Sequence, residues 1–206
     1  MQIRLEMPFD PWYNAPVVIT YLGEGSFRLQ SGEISILIDP TSNRFKGDLV
    51  LRTEAEFPKS EAAPGAQTEI LHAGEFESKG IEVQGIVLGA DHKEGKTHTG
   101  YLVRWEDLTF AFLGPLARVL DPELLEKFDD PDVLFLRLGA RYLTEEAAEK
   151  VVRQIEPKVV IPAYEKSPQA FLKEMGEAGA LEEKFVFRKK DLEAIEGTKT
   201  IALKAA

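Results

Sequence analysis

The chain has 206 residues, no cysteine, and 35 acidic against 25 basic side chains, for a formal net charge of −10. That length suffices for one large domain with a substantial core, and the acidic balance argues against non-specific nucleic-acid binding and against anionic membrane surfaces, which both reward clustered Lys and Arg. The lack of cysteine removes thiol catalysis, disulfides and thiolate metal sites.

Taken in order, residues 1–16 hold three prolines and several aromatics and read as an arm lying over the body. Their acids and prolines stand where a signal peptide needs an apolar core. No apolar run approaches the roughly 20 residues that span a bilayer. A cytoplasmic protein is therefore expected, without membrane or nucleic-acid partners.

Val17–Tyr21, Ser26–Gln30 and Ile34–Ile38 read as strands, with Ser31-Gly32 as a hairpin turn and Asp39-Pro40 as a stop. Asp48–Leu51 is a further buried strand that runs out at Thr53 into a polar loop carrying Glu54, Glu56, Pro58 and Lys59. Two prolines, a glycine and several alanines make residues 54–68 a loop. Ile70–Glu77, Ile81–Leu88, Gly100–Trp105 and Thr109–Leu113 follow as strands.

The second half changes rhythm. Asp121-Pro122 opens a short helix to about Lys127, and Val133–Leu138 is a continuous apolar strand. Thr144 caps the next helix, whose apolar stripe is Ala147, Ala148, Val151, Val152 and Ile155, and Pro157 stops it. Lys158–Ala163 is another buried strand, Ser167-Pro168 opens a helix to about Glu177, and Phe185–Arg188 and Thr200–Leu203 close as strands. Strands first, then strands alternating with helices, imply sheets covered by helices. Periodicity alone leaves one or two sheets open.

The ordered segments ITYLGEGSFRLQ, ILIDP, GDLVLRT, AGEFESKGIEVQGI, HTGYLV, TFAFLG, PDVLFLRLGARYLTEEAAEKVVRQIEPKVVIPAY and FLKEMG resemble the metallo-β-lactamase-fold proteins, in particular their small bacterial Zn-dependent-hydrolase branch. The resemblance covers about residues 17–176. It implies an α/β (α+β) αββα sandwich, two mixed sheets with helices on the outer faces, formed by a single domain over 1–206. It also implies a metal bound at strand ends along one edge.

The implied metal motif, His-x-His-x-Asp-His after GDLVLRT, falls on Glu54, Glu56, Pro58 and Lys59. The next histidine falls on Ala90 beside Asp91, the bridging aspartate on Pro115, and the last histidine on Tyr164. Zinc takes imidazole or carboxylate donors in a tetrahedral set with one open position. Ala90 and Pro115 offer no side-chain donor, Tyr164 is a poor ligand unless ionised, and Lys59 brings a cation to a cation site.

Two readings of Glu54 and Glu56 compete. In one they are neutralised carboxylates, paired with Lys59, Arg52 or Arg137, since like charges in one pocket repel unless a cation intervenes. Otherwise they belong to a surviving metal site with Asp91 and His92. His92 and His98 sit six apart in what reads as a surface loop. Arg137 and Arg141, in FLRLGARY, together with Arg52 and Lys59, form a candidate anion-binding group.

The sequence thus predicts a degenerate member of the family without cofactor or catalysis, acting in binding or assembly with an unknown protein partner or as a homodimer. Two alternatives stand beside it: a zinc- or other metal-dependent hydrolase with a rebuilt carboxylate-rich site, and a small-anion binding module.

Overall fold

The computed structural model describes residues 15–57 and 69–206. Most of the proposed arm, and with it Pro58 and Lys59, lies outside the described residues.

Two mixed β-sheets face one another. The first contains β1 (Val17–Gly23), β2 (Ser26–Ser31), β3 (Ile34–Ile38), β4 (Leu49–Leu51), β6 (Glu69–Ile70) and β13 (Phe185–Phe187), in the order β13-β1-β2-β3-β4-β6. The second runs β14-β12-β11-β10-β9-β8-β7. Its members are β7 (Gly74–Ser78), β8 (Ile81–Asp91), β9 (Lys96–Trp105), β10 (Leu108–Phe112), β11 (Val133–Leu138), β12 (Val159–Tyr164) and β14 (Lys199–Thr200). A short strand β5 (Glu54–Glu56) pairs with β9 off that path. The helices are α1 (Pro122–Leu125), continued by a 3-10 turn over Glu126–Phe128, then α2 (Glu145–Ile155), α3 (Gln169–Glu174) and α4 (Lys189–Glu193).

Strand alternation divides the core. In β11, Val133 and Phe135 join Ile19, Leu29, Ile36, Tyr101 and Phe112 in the layer between the sheets. Leu134, Leu136 and Leu138 of the same strand turn outward, to Val151, Val152 and Ile155 of α2 and Phe171 of α3. Both faces of β11 are buried, which is why it reads as a continuous apolar run. Thr144 caps α2 by accepting the Ala147 amide at 3.3 Å, and Glu156, at φ 52°, ends it in a left-handed residue before Pro157.

Several boundaries differ from expectation. Ile70–Glu77 is broken into β6 and β7, because Gly74 takes φ 152° and the chain passes from one sheet to the other. The loop expected over Glu54–Glu56 is β5, whose backbone is satisfied by β9 in the register Glu54↔His98 and Glu56↔Lys96. His98 therefore sits in a strand, not a loop. Of the expected strand Thr200–Leu203 only Thr200 belongs to one, as the end of β14 (Lys199–Thr200), and α4 had no clear sequence signal.

Candidate active site

A cavity of about 570 Å³ opens where β3, β4, β11 and β12 end at one edge of the sandwich. β3 and β4 run parallel, as do β11 and β12, so their carboxyl ends converge there. In open α/β sheets that is where ligands sit, because loops leaving parallel strands diverge and leave a crevice.

Asp39 follows β3 and forms part of the floor. Its backbone is left-handed, φ 45°, which a non-glycine residue adopts at some cost unless its surroundings hold it. They do: one carboxylate oxygen accepts the Thr53 amide at 2.7 Å and the other accepts the Thr53 hydroxyl. The Asp39 amide in turn donates to Leu51 at 2.9 Å. Thr53 is buried against Gly114, where an added Cβ would meet the threonine Cβ at 2.6 Å. Burial pushes the Asp39 carboxyl above its ordinary value, opposed by the Thr53 hydrogen bonds and by the positive charges of Arg137 and Arg52.

Glu54 is the first residue of β5 and lines the same cavity. Its carboxylate binds the Lys96 ammonium at 2.8 Å, and the His98 Nε2 lies 3.5 Å away. Hydrogen bonds that it donates to Glu54, and then to Glu94, hold the Lys96 ammonium above its ordinary value. Among the described residues the cation paired with Glu54 is thus Lys96 and not Arg137, while Lys59 lies outside them. Nothing in the sequence near Glu54 signals it, since Lys96 arrives through strand pairing from 42 residues away.

The set Glu54, Glu56, Asp91 and His92 does not assemble. Asp91, at the end of β8, is spent on the amides of Lys93 and Glu94 at 2.8 and 3.1 Å, and the His92 ring rests 5.7 Å from that of Phe57. Ala90 pairs with Thr97, and Pro115 follows Gly114. The Tyr164 hydroxyl donates to the Leu203 carbonyl at 2.7 Å, and burial pushes it up, so it stays protonated. Among the described residues no three histidine or acidic side chains converge as metal ligands. The donors among the described residues do not fit a zinc ion.

Three of the four candidate anion-binding residues come together. Arg52, Arg137 and Arg141 all line the cavity. Arg52 is committed: its Nε donates to Glu69 at 2.7 Å and Nη1 to the Pro40 carbonyl at 2.6 Å. The Arg137 guanidinium lies 4.3 Å over the Tyr142 ring, within cation–π range. Arg141 is exposed at the mouth. Sequence reasoning passed over Asp39, Thr53 and Tyr142; the Asp39-Pro40 pair at a strand end was the available signal for the first.

The family described as "Beta-lactamase superfamily domain" matches residues 18–164. The chain belongs to that superfamily, and its two mixed sheets have the metallo-β-lactamase fold.

A metal-dependent hydrolase of Methanopyrus kandleri is 24% identical over 213 residues, covering 78% of this chain and 92% of that protein. A crystal structure from Thermotoga maritima, described as a candidate Zn-dependent hydrolase of the metallo-β-lactamase superfamily, superposes with a TM-score of 0.71 at 19% identity. It covers 91% of this chain and 98% of that one. Igni18, a metallo hydrolase of Ignicoccus hospitalis, gives 0.62 at 16% identity, covering 84% and 99%.

These names overturn the expectation of a non-catalytic binding or assembly protein without a cofactor. They point to a metal-dependent hydrolase, and the hydrolase alternative takes the place of the first reading. No helix among the described residues is long and apolar enough to cross a membrane.

Proposed function

We propose that the protein is a hydrolase whose active site is the cavity at the ends of β3, β4, β11 and β12. The observation that carries this is a single cavity holding a fixed carboxylate, Glu54, together with a fixed guanidinium, Arg52, on a hydrolase fold. The relatives named above are metal-dependent, but the donors described in this chain do not fit such an ion.

Lys96 and His98 orient the Glu54 carboxylate, which takes a proton from the attacking water. Glu69 and the Pro40 carbonyl hold Arg52 in place before substrate arrives. A prearranged cation of this kind stabilises negative charge developing on the substrate oxygen without reorganising. Asp39 and Thr53 brace the turn from which both Arg52 and Glu54 project.

The test is a panel of chromogenic esters, phosphoesters and lactams, assayed with added zinc, manganese or iron and again with chelator. Turnover that falls by about a hundredfold or more in Glu54→Gln supports the reading. Absence of turnover under every condition sinks it.

The same proposal takes residues 1–206 as one cytoplasmic domain, supported by the acidic composition and the lack of cysteine. It includes self-association through the apolar arm with Phe9, Trp12 and Tyr13. A monomer mass by light scattering at micromolar concentration removes that last part.

A further inference from the structure

We infer that the cavity anchors its substrate through one carboxylate group, held by the guanidinium of Arg137. Period-two alternation in β11 puts Arg137 on the same face as Val133 and Phe135, both in the layer between the sheets. It is the next residue in that row, at the point where the apolar layer opens into the cavity. An arginine there presents its charged head where the apolar layer meets Asp39 and the buried Thr53.

The head is held in place. The Tyr142 ring supports one side at 4.3 Å. Gly25, at φ 88°, lies so close that an added Cβ would meet the guanidinium carbon at 2.9 Å. Yet among the described residues the guanidinium has no ion pair or hydrogen bond, and it acts on Asp39 and Tyr21 only through its field. Other charged groups of the interior are committed: Arg52 to Glu69, Glu54 to Lys96, and both oxygens of Asp39 to Thr53. A positioned guanidinium without a partner is a preorganised site for an oxyanion.

Charge selects which oxyanion. One inner guanidinium is uncommitted, and its planar fork matches the two oxygens of a carboxylate. At the rim, the exposed carboxylates Glu24 and Glu165 flank the opening, with Arg141 as the only cation there among the described lining residues. Two rim carboxylates repel a dianion more than a monoanion. A carboxylate is therefore favoured over a dianionic phosphate monoester.

The inference takes the proposed active site as its location, but binding is measured without turnover. Calorimetry with benzoate and with phenyl phosphate, at low salt and near-neutral pH, tests it. Benzoate is expected to bind about tenfold tighter than phenyl phosphate, and Arg137→Met to weaken it by about tenfold or more. Arg137→Lys should recover part of that loss, and Arg104→Met, at an exposed position lining a different pocket, should change nothing.

Thermal melts matching the parent establish that the variants are folded. Unchanged benzoate affinity in Arg137→Met overturns the inference, as does equal or tighter binding of phenyl phosphate. Absence of benzoate binding at about 20 mM does so too. Benzoate binding without turnover on any substrate removes the hydrolase reading alone; turnover without benzoate binding removes the carboxylate anchor alone.

Discussion

Two surface depressions of similar size differ in how their charges are used. The pocket lined by Lys79, Arg104, Trp105 and Lys189 measures about 610 Å³, slightly more than the one at the strand ends. In it, Lys79 is bound to Asp48, and Lys189 holds Asp132 at 2.7 Å. Asp132 also accepts the Thr109 amide at 2.8 Å, so that this cluster ties β10, β11 and α4 together. At the strand-end cavity, Arg137 rests on the Tyr142 ring and acts on Asp39 only through its field, without an ion pair or hydrogen bond among the described residues. Cavity size does not separate the two. Lys79 and Lys189, each neutralised by a carboxylate of its own, serve the fold, whereas Arg137, held in place without an ion pair or hydrogen bond among the described residues, is available to a ligand.

Breaking the layer common to both regions should produce the largest effect. Phe135 is buried, stacked on Phe112 at 4.4 Å, and forms part of the floor beneath Arg137. Phe135→Ala should cost about 3–5 kcal/mol in urea unfolding, through lost burial and the cavity left behind.

Next comes the neutralised pocket. Lys189→Met leaves Asp132, 9% exposed, without its cation, and should cost about 1–2 kcal/mol. That figure is reduced from the fully buried case because the Lys189 side chain is 39% exposed. Adding Asp132→Asn should recover part of the loss, because the amide oxygen can still accept from Thr109.

Arg137→Met at the other pocket should change unfolding free energy by less than about 0.5 kcal/mol in either direction. If it costs as much as Lys189→Met, Arg137 is structural and the contrast collapses.

The smallest effect is a titration. The Asp39 carboxyl, followed by carbon NMR, should titrate above its ordinary 3.8, because burial dominates. Arg137→Met should move the midpoint up further, since a cation that favours the ionised form is gone. The folded value is raised, so the fold favours protonated Asp39. The resulting stabilisation is complete below the ordinary value and is lost as pH rises through the folded one. A midpoint unmoved by Arg137→Met would mean that the guanidinium does not act on Asp39.

Much of the scaffold was legible in the chain. The alternation in Val17–Tyr21, the unbroken apolar run of Val133–Leu138 and the capped stripe of α2 each report a local burial pattern, and local patterns follow from residue spacing. Ordered segments, not any single motif, pointed to the superfamily. The substitutions at Ala90, Pro115 and Tyr164 were equally plain, because a missing donor can be read from residue type alone. They led to the expectation of an inert protein, which the names of the relatives do not support.

Tertiary structure alone decided which charges meet. Glu54 finds Lys96 and His98 because β5 pairs antiparallel with β9, a register set by backbone hydrogen bonds across more than 40 residues of chain. Asp39 reaches Thr53 because β3 and β4 run parallel and end together. Arg137 faces a cavity because β11 carries it on the inner face one step past the last buried aromatic. Residue spacing along one strand determines which face a side chain takes. Which side chains stand opposite it depends on sheet pairing between segments distant in sequence, and single-strand periodicity carries no record of that pairing.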